Sequence, residues 1–260
     1  MKTCIQCEEA TTDNFCPKCG QNQNVERLTL ASFFSDFFSR VYGLDGAFPH
    51  TVIGLTKRPH LVAKEYISGI RGKYVGPVGY YFLIFTIFLL LVQVSGFSLA
   101  DYLPKTENFA DSMVDDNDIT KTKQTKEIAL YVKEKVFNNI QYVHVFLVPI
   151  LALWSKVWFR KSDYNFIENC VFSFFIHAQG TVINIIGFLI FISTGFKSNA
   201  FISLMTLTYY LWSISLFYSG KIQFFSLLKG LMAYAFTYLS FLLFVAIVVF
   251  ISLIASGGVH

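Results

Sequence analysis

Four of the five cysteines fall within the first twenty residues, as Cys4-Ile5-Gln6-Cys7 and Cys16-Pro17-Lys18-Cys19, two C-x-x-C pairs eight residues apart. Each C-x-x-C turn brings two thiolates together, and four thiolates from two such turns close a tetrahedral shell around one zinc ion. Gly20, directly after the second pair, permits the tight turn that points backbone amides at sulfur. Disulfides or a redox pair would use the same residue types. A cytosolic location disfavours disulfides, and no strand-helix-strand pattern surrounds the cysteines as a thioredoxin-like reading requires. No general base and no fifth ligand accompany them, so Cys4, Cys7, Cys16 and Cys19 are expected to form a structural zinc site. Twenty residues cannot bury a core, and the metal would supply the folding energy of this small ribbon. The fifth cysteine, Cys170, reads as an inert packing residue.

Composition sets the context for that head. Apolar residues make up 54% of the 260, aromatics 18% and charged residues 15%, against roughly 25% charged in a soluble protein. Mean hydropathy is +0.50, and the 29 phenylalanines exceed the needs of one globular core. Charges cluster between long uncharged runs. The pattern is that of an all-α membrane protein. No cleavable secretory signal is expected, since residues 1–27 lack the apolar run that one requires.

A span needs about 20 mostly apolar residues. Five segments are read as spans: 79–98, 142–158, 170–194, 200–218 and 231–255. The second is the shortest and carries Pro149. The expected organisation is a zinc-ribbon head over 1–27, cytosolic or interfacial amphipathic helices over 28–78, and a transmembrane bundle over 79–256. Nine cationic residues precede the first span, whereas the loop 99–141 holds six lysines against eight acids. Arg160 and Lys161 follow the second span, and Lys221 and Lys229 precede the fifth. This asymmetry places the N-terminus in the cytosol and the C-terminus outside. The net charge of +4 then reflects membrane topology, and nucleic acid is not an expected partner.

The loop 99–141 opens with Asp111, Asp115, Asp116 and Asp118 but lacks the glycine and terminal glutamate of a calcium loop. It reads as solvated, with an amphipathic helix from Ile128 to Ile140. Leu30 to Leu44 reads as another amphipathic helix, either packed on cytosolic segments or lying in the bilayer interface. Pro59 suits a helix start and Gly69 a helix stop. Arg71, Lys73 and Tyr74 then stand where cations and aromatics anchor to headgroups. A phosphate loop is excluded, because the required glycine is missing and Tyr74 replaces the Ser/Thr.

The third span carries a polar face at helical spacing: Asn169, Ser173, His177, Gly180, Thr181, Asn184 and Gly187. Polar groups in a span face the bundle interior. The face is either a packing seam between helices or a polar pathway with His177 and Asn184 inside it and Glu168 at its cytosolic mouth. Glu168 otherwise pairs Arg160 or Lys161. Candidate functional polar residues are therefore Arg71, Tyr74, Glu168, His177 and Asn184. His144 reads as interfacial, and His50 and His60 form no recognised metal motif.

Several blocks together resemble an uncharacterised bacterial family of polytopic membrane proteins with an N-terminal zinc ribbon, known as a domain of unknown function. They are the cysteine pair ending Cys-Gly-Gln (Cys16 to Gln21), the Thr-Leu-rich stretch from Arg27 to Phe34, and the Arg58 to Pro77 segment, similar to RPGxxIREYIxGKRxxYxxP. Tyr164 to Asn169 looks like that family's Asn-x-x-Glu-His element. Three departures stand out: His60 in place of glycine, Ile70 in place of lysine, and Asn169 in place of histidine. The resemblance implies an architecture and residence in a bacterial inner membrane, but no activity.

No HExxH, Ser–His–Asp order, phosphate loop or paired aspartates appears, so an enzyme is not expected. The leading expectation is a non-enzymatic docking, scaffold or sensor protein whose zinc ribbon meets a cytosolic protein partner. The alternative is a transporter or channel component for a small solute, ion or lipid, using the polar third span. The lipid bilayer is a partner in either case, and self-association into a homo-oligomer is compatible with both.

Overall fold

The computed structural model describes residues 2–12, 14–24, 27–29, 46–97, 140–195 and 199–255, with backbone alone at 2, 140–144, 199, 245 and 248–255. The head holds a two-stranded antiparallel sheet, β1 (Lys2–Thr3) against β2 (Ala10–Thr11), pairing Lys2 with Thr11 and Thr3 with Ala10. The rest is helical. Two short helices, α1 (Ala47–Lys57) and α2 (Pro59–Ile67), precede α3 (Pro77–Ser95), α4 (Ile140–Trp158), α5 (Phe166–Thr194), α6 (Asn199–Ser219) and α7 (Phe224–Ala255). The helix expected over Leu30 to Leu44 lies outside the described residues. So does the loop expected over 99–141, save for 140 and 141, which open α4.

Among the described residues, four helices are long and apolar enough to cross a membrane: Pro77–Ser95, Phe166–Thr194, Ala200–Ser219 and Phe224–Phe244. Val145–Trp158, within α4, is a shorter apolar helix. Helix directions show how α4 fits. Tyr80 meets Gln179, Phe88 meets Phe188 and Phe97 meets Phe191, so α3 and α5 run parallel. Parallel neighbours need the chain between them to return, and α4 is that return. Trp154 and Trp158 contact Phe236 while Phe159 lies beneath Lys229, which sets α4 antiparallel to α7. Phe217 on Phe172 and Tyr210 on Tyr234 make α6 antiparallel to both α5 and α7. The five long helices therefore alternate in direction.

Helix ends depart from the expected spans for identifiable reasons. Proline at the first position starts α3 at Pro77. Gly96, at φ +73°, ends it three residues before the expected boundary. Asn165 and Glu168 form a capping box that starts α5 at Phe166, four residues before the apolar run. Its 29 residues make a rod of about 43 Å, longer than a hydrocarbon core of about 30 Å. Helix α7 starts at Phe224 rather than 231. Lys229 and Gly230, which suggest a later start, are both accommodated: the lysine lies over the Phe159 ring and the glycine packs on Ile214.

The core runs the length of α5, where Val171, Phe172, Phe175 and Ala178 are fully buried between α3, α4 and α6. The α1–α2 hairpin packs into the same core. Its closure depends on Gly54, whose missing Cβ would lie 2.8 Å from Val62 Cγ2. Tyr66 packs edge-on to Phe175 at 5.7 Å, and Tyr209 Oη donates to the Leu55 carbonyl at 2.9 Å. The hairpin, the ribbon, and the turns 159–165 and 220–223 all gather at one end of the bundle, the head end.

Candidate metal centre and its mount

The ribbon is two copies of one knuckle. In the first, Cys4 N–H donates to Glu9 O at 2.8 Å and Glu8 N–H to Cys4 O at 3.0 Å. In the second, Cys16 N–H donates to Gln21 O at 2.9 Å and Gly20 N–H to Cys16 O at 2.8 Å. The residue four after the first cysteine is left-handed in both, Glu8 at φ 60° and Gly20 at φ 72°. Glycine meets this need at the second knuckle. At the first it falls on a glutamate, the one non-glycine residue with positive φ among those described.

The knuckles face each other and bring four reduced sulfurs within 4.8 Å of one another. Cys4 Sγ lies 3.6 Å from Cys19 Sγ, and Cys7 Sγ lies 3.5 Å from Cys16 Sγ. A zinc–sulfur bond of about 2.3 Å implies a tetrahedral edge of roughly 3.8 Å, so the spacing is compatible with a four-thiolate metal site. Burial opposes ionisation of Cys4, but hydrogen bonds from the Gln6 and Cys7 amides outweigh it and bring its pKa down to about 6. Cys19 is pushed up to about 12. The Gln21 backbone bond opposes that rise, while burial and the neighbouring sulfurs of Cys7, Cys4 and Cys16 drive it. Four sulfurs this close cannot all ionise without a cation among them.

The ribbon is mounted on the segment after α2. Gln21 is buried at the ribbon base and donates through Nε2 to the Gly69 carbonyl at 2.8 Å. Gly69 exposes that carbonyl through a φ of +103°, reached just past the end of α2. The side chains of Gln6 and Gln21 reach over the backbone at Gly72, where a Cβ would lie 3.6 Å from Gln6 Oε1. Leaving the head, the chain is pinned again. Arg27 donates through Nε to Glu168 Oε1 at 3.0 Å and through Nη2 to Glu168 Oε2 at 3.1 Å and the Asp163 carbonyl at 2.5 Å. Leu28 is buried in the bundle core, and its carbonyl accepts from Asn165 Nδ2 at 3.3 Å.

Glu168 therefore does two jobs. Its Oε2 accepts from Asn165 N–H at 2.6 Å to close the α5 capping box, and its carboxylate receives Arg27. The partner is Arg27, 141 residues away, and not Arg160 or Lys161 as sequence proximity suggests. Tyr74 also differs from its expected role as a headgroup anchor. It is buried, and its hydroxyl donates to Glu65 Oε2 at 2.7 Å, which Lys73 reaches at 2.8 Å. Burial raises the Glu65 pKa, but Lys73 and Tyr74 outweigh it and hold the carboxyl below its usual range. Arg71 lies with its guanidinium 5.9 Å from the Tyr66 ring centre.

The polar face of α5 turns its hydrogen bonds largely onto its own helix. His177 Nδ1 is 3.2 Å from the Ser173 carbonyl, Thr181 Oγ1 donates to the His177 carbonyl at 3.0 Å, and Asn184 Nδ2 donates to the Gly180 carbonyl at 2.9 Å. A Cβ on Gly180 would be 3.1 Å from Thr206 Cγ2, so α6 packs closely there. Asn169 is fully buried, donating to the Asn165 carbonyl at 2.7 Å and accepting from Tyr218 Oη. Sequence reasoning passed over Gln179. It is buried, accepts from Tyr80 Oη at 2.7 Å and donates to Thr56 Oγ1 at 2.9 Å, tying α5 to α3 and α1. Its place beside His177 and Gly180, among apolar residues, was the available signal.

A family model described as a protein of unknown function (DUF3667) matches residues 45–89. That stretch is the α1–α2 hairpin, the 69–72 mount and the first part of α3. No curated protein and no solved structure matches the chain. Over its hairpin and mount the chain is similar to an uncharacterised domain family, and the rest is described by its own geometry alone.

Proposed function

We propose that this chain is a non-enzymatic membrane protein whose N-terminal ribbon, built on one structural zinc ion, is a docking head for a cytosolic protein partner. The observation that carries the reading is the contrast between the two sides of the ribbon. Its base is fastened through Gln21 to Gly69, while Ile5 at 44% and Phe15 at 60% exposure stand on its free surface. Exposed apolar residues on a rigid, metal-built support are a common form of protein interface. The head end also carries Arg27, Lys57, Arg58, Lys64, Arg160 and Lys161, and cation-rich connections face the cytosol. The reading therefore has a cytosolic head, an external C-terminus and a bacterial inner membrane as its setting. A polar pathway along α5 is the weaker reading, since His177, Thr181 and Asn184 turn to their own helix backbone.

A photoreactive amino acid at position 15 of the full-length protein in cells tests the proposal. A discrete protein adduct is expected, lost on Cys16→Ser and absent when the probe sits at Glu8. Adducts unchanged by Cys16→Ser, or none at position 15, would contradict it.

A further inference from the structure

At the head end a pocket of about 590 Å³ opens between the last turn of α4 and the first turns of α7. The volume lies within the roughly 300–1,000 Å³ of small-molecule sites. Three cations line it, Arg160, Lys161 and Lys229, and no carboxylate does. Among the described residues none of the three has an ion pair, and Lys229 contacts only the Phe159 ring, at 5.8 Å. Two further groups on the wall, Trp158 Nε1 and Ser162 Oγ, are buried with no hydrogen-bond partner among the described residues. Buried polar atoms are nearly always paired, so two orphan donors beside three unpaired cations describe a site for an anion. The first turn of α7 adds the positive end of a helix dipole.

The rest of the wall specifies what carries the anion. Trp154, Val157 and Phe225 line the same opening, and Val157 and Phe225 are exposed on the apolar flank of the bundle. Cations at the headgroup level above an apolar, aromatic wall match an amphiphile with a negative head. A second cationic hollow, beside Lys57, Arg58 and Lys73, contains its own carboxylate in Glu65 and lacks this character. We propose that the α4–α7 pocket binds the headgroup phosphate of an anionic phospholipid, with Arg160, Lys161 and Lys229 on the phosphate and Trp158 and Ser162 donating to its oxygens. The proposal does not rest on the docking role of the ribbon.

The test is a titration of the full-length protein in neutral detergent with dioleoylphosphatidylglycerol, dioleoylphosphatidylcholine or inorganic phosphate, followed by tryptophan fluorescence. Saturable binding of phosphatidylglycerol is expected, with phosphatidylcholine much weaker. The double substitution Arg160→Gln with Lys229→Gln should weaken it roughly tenfold or more, given the pull of each cation near an anionic surface. Lys221→Gln removes one positive charge at the same end but outside the pocket, as Arg160→Gln alone does inside it, and should leave affinity unchanged. Equal loss with Lys221→Gln would reduce the effect to diffuse attraction and overturn the site. Displacement of lipid by inorganic phosphate at equal concentration would assign the pocket to a free anion and overturn the lipid. If the double variant fails to fold, Arg160→Gln and Lys161→Gln alone carry the test, because both side chains are exposed and without a partner among the described residues. Unchanged affinity in both would overturn it.

Discussion

Glu8 and Gly20 occupy equivalent places in the two knuckles, yet only one has the residue that suits a left-handed backbone. A β-carbon in this conformation costs roughly 1–2 kcal/mol. Glu8→Gly is therefore expected to stabilise the ribbon by about 1 kcal/mol, and Gly20→Ala to destabilise it by a similar amount. Zinc release against denaturant, read with a colorimetric chelator, should move in opposite directions for the two variants. Glu65 offers a second test. Its depressed pKa means that the Lys73–Glu65 contact stabilises the fold above the ordinary carboxylate range and fails as pH falls through the folded-state value. The raised pKa of Lys73, set first by its bond to Glu65, adds stability below its unfolded value that is lost as pH rises through the folded one. The Tm difference between wild type and Glu65→Gln should accordingly be largest near neutrality and vanish once the pH falls below the depressed folded-state value. The four cysteines were legible because their spacing is local. Glu65 was not, since only folding brings Lys73 and Tyr74 back over it.

Among the elements, the α1–α2 hairpin makes the sharpest steric demand. Gly54→Ala places a methyl 2.8 Å from Val62 Cγ2, and overpacking of this kind costs roughly 1–3 kcal/mol. The loss should be recovered by adding Val62→Ala, and a four-member thermal-shift cycle in detergent would show that coupling. No coupling would mean that the hairpin does not close through this contact. The capping box of α5 is also open to test. Glu168 has a side chain only 7% exposed, while Arg27 is 62% exposed, so the ion pair itself contributes little beyond screening. Removing the carboxylate is the larger perturbation, because it also releases the Asn165 amide. Glu168→Ala, which leaves no side-chain acceptor for that amide, should therefore destabilise more than Arg27→Gln, and both should raise hydrogen exchange over 27–29. Pro59, Gly69 and the apolar spans could be read in the sequence, because each is a property of a few adjacent residues. The early starts of α5 and α7 could not. They depend on the Asn165–Glu168 cap and on the Gly230–Ile214 contact, both of which compete with local hydropathy.

For the whole molecule, ties between distant residues fasten the ribbon to the bundle, among them Gln21 to Gly69 across 48 residues and Arg27 to Glu168 across 141. Sequence separations of that size leave no local signature, which is why the head read as a separate unit and the mount as a bilayer anchor. The alternation of the five long helices, by contrast, followed from composition and the order of apolar runs. The most direct test of the account is zinc-edge X-ray absorption with metal analysis on the intact protein purified under reducing conditions. One zinc per chain with four sulfur neighbours at about 2.3 Å is the expected result. A metal-free protein whose folded head holds disulfides between Cys4 and Cys19 or between Cys7 and Cys16 would contradict it.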